Sequence, residues 1–396
     1  MQNSLARWLP YIFILILLSV VMFILSPPEL KLKDLPEFYA PGRMLIMGKG
    51  SEIYDPSALN AFEKAAFPDG YETPQLYVPP FSLPLLIPIG LLPGDIVNKV
   101  WFAFLILCTT ASFVLLAKTL DLSGPHVLRA GTILVVSGPI WEAVRHGQLA
   151  PLALLSLTAS LYFLKMERPL SSALSLAPML TRPQELLPLL VFCLAAGRWK
   201  LIACVAATTA ILYAVACLLF GSAAWEGYFQ LLTAVKQNKQ WMAAEVSPTV
   251  RGQLLRIFPT ADNAVMIAAI IVMLSTLACL FILGRKYKDK QDWWQYGFVI
   301  SMPAGLGSAL HCHNYDLLLL APAVILFVLG EAGKAVSLRT KILWLLPGII
   351  YLMPIYAKIH YEYILLGGVA NPFFIMLAIW SVAILVFYAH QKPTGH

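Results

Sequence analysis

The chain of 396 residues is 59% apolar and only 12% charged, with a mean hydropathy of +0.74. Soluble domains carry about 25% charged residues, so a water-soluble globule is excluded and a lipid bilayer must act as solvent. The net charge of +7 is not laid out as basic runs with interleaved aromatics, which excludes a nucleic-acid partner and leaves Lys and Arg as markers of cytoplasmic loops.

In chain order, the first apolar segment, 8–26, holds no charge and runs into Pro27-Pro28-Glu29 without a small-residue cleavage site. That predicts a retained anchor and not a removed secretory signal. Residues 27–76 follow as a polar outer loop with two helix candidates, 36–47 and one opening at Asp55-Pro56. A multi-span core over 77–220 contains apolar segments at 77–92, 96–118, 128–141, 149–164, 170–196 and 200–220. A second outer loop, 221–262, carries Trp225, Lys236, Lys239, Trp241, Arg251 and Arg256. C-terminal spans within 263–390 are expected at 263–283, 293–310, 315–330, 342–356 and 372–390. The whole, 1–396, reads as one all-α polytopic domain of about ten to twelve segments, given the roughly 20 residues needed per crossing.

Arg285-Lys286-Tyr287-Lys288-Asp289-Lys290 and the group Lys334, Arg339, Lys341 are the basic clusters expected inside. Alternation then puts 27–76, 221–262 and the stretch around His311–Asp316 on the outer face; the 118–200 region stays unassigned. Trp101, Trp141, Trp293 and Trp294 suit an interfacial belt. The prolines of Tyr77-Val78-Pro79-Pro80-Phe81, with Pro84 and Pro88, predict a kinked helix start. Cys108, Cys193, Cys204, Cys217, Cys279 and Cys312 lie mostly in apolar runs with no CxxC pair. Neither a disulfide framework nor a zinc site is indicated, and small apolar packing is expected of them.

A few polar stations stand out against this background. Asp34, just beyond the first span, is placed for either of two roles: a cap on the helix that Pro36 opens, or a carboxylate at the membrane surface facing a lipid head group. Asp55 before Pro56 reads as a plain cap. Thr181-Arg182-Pro183-Gln184-Glu185 interrupts an apolar segment. An Arg at bilayer depth costs about 2.5–3.5 kcal/mol on insertion scales, so Arg182 needs a partner: Glu185 three residues on, or an anion held at the broken helix. His311 and His313, at i and i+2, share one face of an extended segment but not of a helix. They could bind phosphate, move a proton, ligate a metal (a use that this spacing favours little) or simply hydrogen-bond at the interface. Arg145-His146-Gly147-Gln148 is a comparable polar break.

Taken together and in order, these stations resemble glycosyltransferase family 87, the integral-membrane mannosyltransferases with the GT-C fold. Phe38-Tyr39, Gly42-Arg43, Gly48 and Tyr54-Asp55-Pro56 resemble the family's first outer loop, and Tyr77-Val78-Pro79-Pro80-Phe81 through Leu91-Leu92-Pro93 its second span. Gly147-Gln148 matches a Gly-Gln pair, Thr181-Arg182-Pro183 falls where Lys-Pro is usual, and His311 to Leu320 is similar to a His-x-x-Tyr-Asp-Leu-Leu-Leu-Leu stretch. Ser247-Pro248-Thr249-Val250-Arg251-Gly252 stands where Asn-Gln-Ser-x-x-Gly is usual.

The resemblance implies a polyprenyl-phosphate sugar donor, often mannose, and a glycolipid or glycan acceptor. It implies inverting transfer on the outer, periplasmic face of a bacterial-type cell membrane. No cofactor is implied, and a divalent metal is left open. Asp34 would be the general base. Arg182, His311 and His313, with Arg251, would grip the leaving phosphate, and Gln148 and Tyr39 would bind substrate. Two departures touch the site: Arg182 is a planar fork where Lys is a point charge, and Ser247-Pro248 replaces Asn-Gln. Rival readings are a transporter or lipid flippase, which also uses broken helices, and a non-catalytic membrane subunit.

Overall fold

The computed structural model describes residues 32–67, 78–237, 246–334, 336–364 and 368–391. The expected anchor at 8–26, with Lys239 and Trp241, lies outside the described residues. Among the described residues the fold is all-helical, with one β-bridge, Ser137 to Leu352.

Two helices of the first polar loop come where expected, α1 (Leu35–Ile46) and α2 (Pro56–Ala66). After a 3₁₀ turn over Pro80–Leu86 come α3 (Gly94–Thr119), α4 (Pro125–Val135), α5 (Gly138–His146), α6 (Ala150–Lys165), α7 (Pro169–Ser175) and α8 (Pro183–Ala195). The C-terminal half comprises α9 (Trp199–Gln237), α10 (Val250–Ile257), α11 (Asp262–Tyr287), α12 (Trp293–Ser308), α13 (Leu320–Leu329), α14 (Leu338–Leu345), α15 (Met353–Lys358) and α16 (Pro372–His390). Four of them, α3, α9, α11 and α16, are long and apolar enough to cross a membrane. Their outward faces carry Leu107, Leu218, Ile267, Ile282 and Val382, all exposed. Apolar side chains facing outward on helices of this length require lipid around them.

Proline decides where the remaining apolar segments break. The expected segment 128–141 divides between α4 and α5 because Pro139 sits in the first turn of α5, where its missing N–H costs nothing. Residues 342–356 divide in the same way into α14, a 3₁₀ turn and α15. The loop expected from 221 starts later. Gly221 adopts φ 66°, a conformation open to glycine, so α9 kinks there and resumes. Its second half packs Tyr228 edge-on against Tyr54, ring centres 5.4 Å apart.

The core forms around α12. All its residues except Tyr296 are buried, and α8, α11, α13 and α16 pack around it. A helix apolar on every side needs neighbours on every side. The tryptophan belt is a correction. Trp101, Trp141, Trp293 and Trp294 are all buried. The indoles of Trp101 and Trp141 donate to Gly147 O and Val135 O, both at 2.8 Å, so an internal acceptor replaces interfacial water. The six cysteines are free thiols.

One contact matters for the site. Gly42 of α1 and Gly90 meet backbone to backbone; a Cβ on Gly90 would lie 2.2 Å from Gly42 C. This seats α1 on the end of the 80–90 segment and fixes where Asp34, at its N-terminus, points.

Candidate active site

A cavity of about 550 Å³ opens between the first polar loop, α5, the α7–α8 break, the second half of α9 and the 310–316 segment. Asp34 occupies the N-cap position of α1, yet its carboxylate makes no cap hydrogen bond. Its Oδ2 accepts from Gln148 Nε2 at 2.5 Å and lies 3.5 Å from His146 Nδ1. Its backbone N–H donates to His146 O at 2.7 Å. Asp55 behaves differently and does cap α2, accepting from Ser57 N at 2.8 Å and Ala58 N at 3.4 Å.

Gln148 reaches this position because α5 ends on Gly147 in the left-handed region, φ 80°, the usual C-terminal stop. The same amide faces two ways: its Oε1 accepts from Arg182 Nη2 at 3.2 Å. A single side chain thus links the carboxylate of Asp34 to the guanidinium of Arg182.

Arg182 lies between a 3₁₀ turn, Ala177–Thr181, and α8. Its Nη1 is bonded to Asp316 Oδ1, and Glu185 Oε1 is a longer second partner at 3.5 Å. Its guanidinium also lies over the Tyr315 ring, 5.6 Å from the centre. The expected choice between Glu185 and an anion was incomplete, since the principal partner is Asp316, far along the chain. The donors of Glu185, Cys312 and Asp316 fall within 4.8 Å of one another, a metal-like grouping. Arg182 already supplies positive charge to both of its carboxylates.

His311 and His313 lie on extended backbone (His313 φ −90°, ψ 161°), so their rings share one side, with Nε2 atoms 3.0 Å apart. The Ser247 hydroxyl holds the residue between them, donating to Cys312 O at 2.6 Å and accepting from Cys312 N at 3.2 Å. Burial, reinforced by His313, pushes His311 down to about 3; burial and Arg182 push His313 down to about 4. Both are therefore neutral near pH 7. His311 Nδ1 is buried without a partner. An unpaired lone pair costs less there than an unpaired N–H, which puts the His311 proton on Nε2, donating to His313, and the His313 proton on Nδ1. Of the expected cationic grip, Arg182 alone carries a fixed charge on the cavity wall.

Two expected residues lie off the cavity lining. Tyr39 is buried, its hydroxyl donating to Leu92 O at 3.1 Å. Arg251 faces Asp262, Nη2 to Oδ1 3.7 Å. The lining instead adds Glu37, Glu142, His146, Asn314, Asp316 and His360. Burial and Asp34 hold Glu37 well above the usual carboxylate range. Glu142 Oε1 is 3.2 Å from His360 Nε2, its Oε2 meets the Tyr356 hydroxyl, and His360 Nδ1 accepts from Asn314 Nδ2 at 2.8 Å. Glu142 and His146, at i and i+4 on α5, share a helix face. That spacing was the available signal for both, together with a lone acid at the end of an apolar segment.

A family model described as glycosyltransferase family 87 matches residues 76–301, more than half of the chain. Gln148, Arg182, Glu142 and His146 fall inside that span; Asp34, His311, His313 and Asp316 fall outside it and meet the others in the cavity. No curated protein and no solved structure matches. Apolar spans, a polar cavity assembled on broken helices and a match over most of the core agree, and the chain belongs to glycosyltransferase family 87, a family of membrane glycosyltransferases.

Proposed function

We propose that the protein moves a sugar, mannose by expectation, from a polyprenyl-phosphate donor to a hydroxyl of an acceptor glycolipid or glycan at the outer membrane face. Asp34 acts as general base, and the anomeric carbon inverts. The acceptor O–H proton passes to Asp34, the acceptor oxygen bonds to the anomeric carbon, and the carbon–oxygen bond to phosphate breaks with its electron pair on the phosphate. A base must be within hydrogen-bond reach of the proton it takes, and the departing charge needs fixed donors.

The observation that carries this reading is the Gln148 bridge, which holds Asp34 and Arg182 on one cavity wall. Of the five N–H groups of a guanidinium, Asp316, Glu185 and Gln148 engage three, leaving two for a phosphate. The His313 Nδ1–H is a further neutral donor.

The test is transfer by purified protein from labelled polyprenyl-phosphate-mannose to native lipid extract. Asp34→Asn is expected to lose about 10²- to 10⁴-fold in rate, the worth of a positioned base, with donor affinity retained. Equal transfer by variant and wild type would remove Asp34 from the mechanism.

A further inference from the structure

The cavity wall carries more acid than a site for an anionic lipid can bear. Four carboxyl groups line it, Asp34, Glu37, Glu142 and Asp316, against one guanidinium, Arg182. With His311, His313 and His360 held neutral, full ionisation leaves the acids well in excess of the one guanidinium, facing a donor whose phosphate is itself negative. Like charges at close range in a poorly solvated cavity repel strongly, so some of these acids must hold protons while donor is bound.

Burial and Asp34 already hold Glu37 well above the usual carboxylate range; local geometry distinguishes the other three. Asp316 is paired with Arg182. Asp34 accepts a short bond from Gln148 and keeps 21% of its side chain exposed. Glu142 is 7% exposed, and both its oxygens meet neutral groups, the imidazole of His360 and the phenol of Tyr356. Among the described residues no Lys or Arg forms an ion pair with it. The other titratable or charged groups around it are Asp34 and Asp316 across the cavity, His146 and Arg145 on its own helix, and Tyr361 beside His360. The two aspartates oppose a further negative charge.

Building on the donor reading above, we propose that Glu142 is a positioning residue for the anionic donor: it stays a neutral acid while the lipid phosphate is bound, and its ionisation expels the phosphate. The side chains around it suit this role. His360 is fixed by Asn314 as the tautomer with its proton on Nε2, so it donates to Glu142 Oε1. Tyr356 and the carboxyl share a hydrogen bond in which either oxygen can be the donor. The acid can therefore keep or lose its proton without rearrangement. Burial, then Asp316 and Asp34, push Glu142 up to about 8, so the switch falls just above neutral pH.

The experiment is equilibrium binding of a polyprenyl-phosphate-mannose to the full chain in lipid nanodiscs between pH 7 and 9. The diester phosphate keeps a single charge over that range, so any change comes from the protein. Wild-type affinity should fall about ten-fold from pH 7 to 9, the loss of the protonated fraction of a group titrating near 8. Glu142→Gln, which keeps both hydrogen bonds and cannot ionise, should hold its affinity and bind about ten-fold tighter than wild type at pH 9. Tyr356→Phe removes a donor that favours the carboxylate and should move the wild-type break to higher pH. A wild-type affinity flat with pH, a fall shared equally by Glu142→Gln, or an unmoved break in Tyr356→Phe would overturn the proposal while leaving the donor reading intact. Absence of wild-type binding at every pH would overturn the donor reading itself and this inference with it.

Discussion

Asp34 and Asp55 pose the same question in the chain, an acid just ahead of a proline-started helix, and the fold answers it in opposite ways. Asp55 caps its helix; Asp34 turns to Gln148, 114 positions away. No local pattern encodes that difference, because it depends on what the cavity brings opposite each carboxylate. The resemblance to a family was what separated them in advance, whereas Glu142 and His360 belonged to no pattern strong enough to single them out, and Asp316 stood inside the Tyr-Asp motif without a role. A buried acid also stands apart from the site. Glu63 in α2 is 2% exposed, neither of its oxygens has a hydrogen-bond partner, and burial pushes it up to about 8. A raised carboxyl pKa means that the folded chain holds a proton the unfolded chain has released, so stability declines as pH rises from about 4.5 and levels off above 8. Glu63→Met removes that penalty. In detergent it should melt higher than wild type by several degrees at pH 8, where a carboxyl raised from 4.5 to about 8 costs up to about 4 kcal/mol. The gap should widen from pH 5 to pH 8 and then stay constant. A gap independent of pH would show that Glu63 does not titrate in the fold.

At the level of elements, hydropathy and proline accounted for most boundaries. The starts of α2, α5 and α8 each carry proline in the first turn, and the break at Arg182 fell where an arginine in an apolar run demanded one. The second outer loop was misplaced because Gly221, a breaker by composition, serves as a kink between two helical halves. Burial of the four tryptophans was hidden for a related reason, since an indole suits an interface and a core equally until its N–H partner is known. The seating of α1 rests on Gly42 and Gly90. Gly90→Ala would drive a methyl group against the Gly42 backbone at 2.2 Å, and α1 must shift to admit it. The variant is expected to insert into membranes normally yet lose at least about ten-fold in transfer rate, because sub-ångström placement of a base controls its effect. Rates equal to wild type would show that α1 has slack.

For the whole molecule, composition alone established a helical membrane protein, and the order of short motifs along the chain resembled the family that the match to residues 76–301 now supports. The cavity was less accessible, because residues from eight separate stretches meet in it and its polar contacts span long sequence distances. Arg182 to Asp316 and Glu142 to Tyr356 are examples. The proposed chemistry depends on where a lipid phosphate sits relative to Asp34. The most direct measurement is a structure of the full chain in nanodiscs with a polyprenyl-phosphate sugar bound. The phosphate is expected within hydrogen-bond distance of Arg182 and His313, with the anomeric carbon turned toward the space beside Asp34. A donor whose phosphate lies outside this cavity, or whose sugar faces away from Asp34, would contradict it.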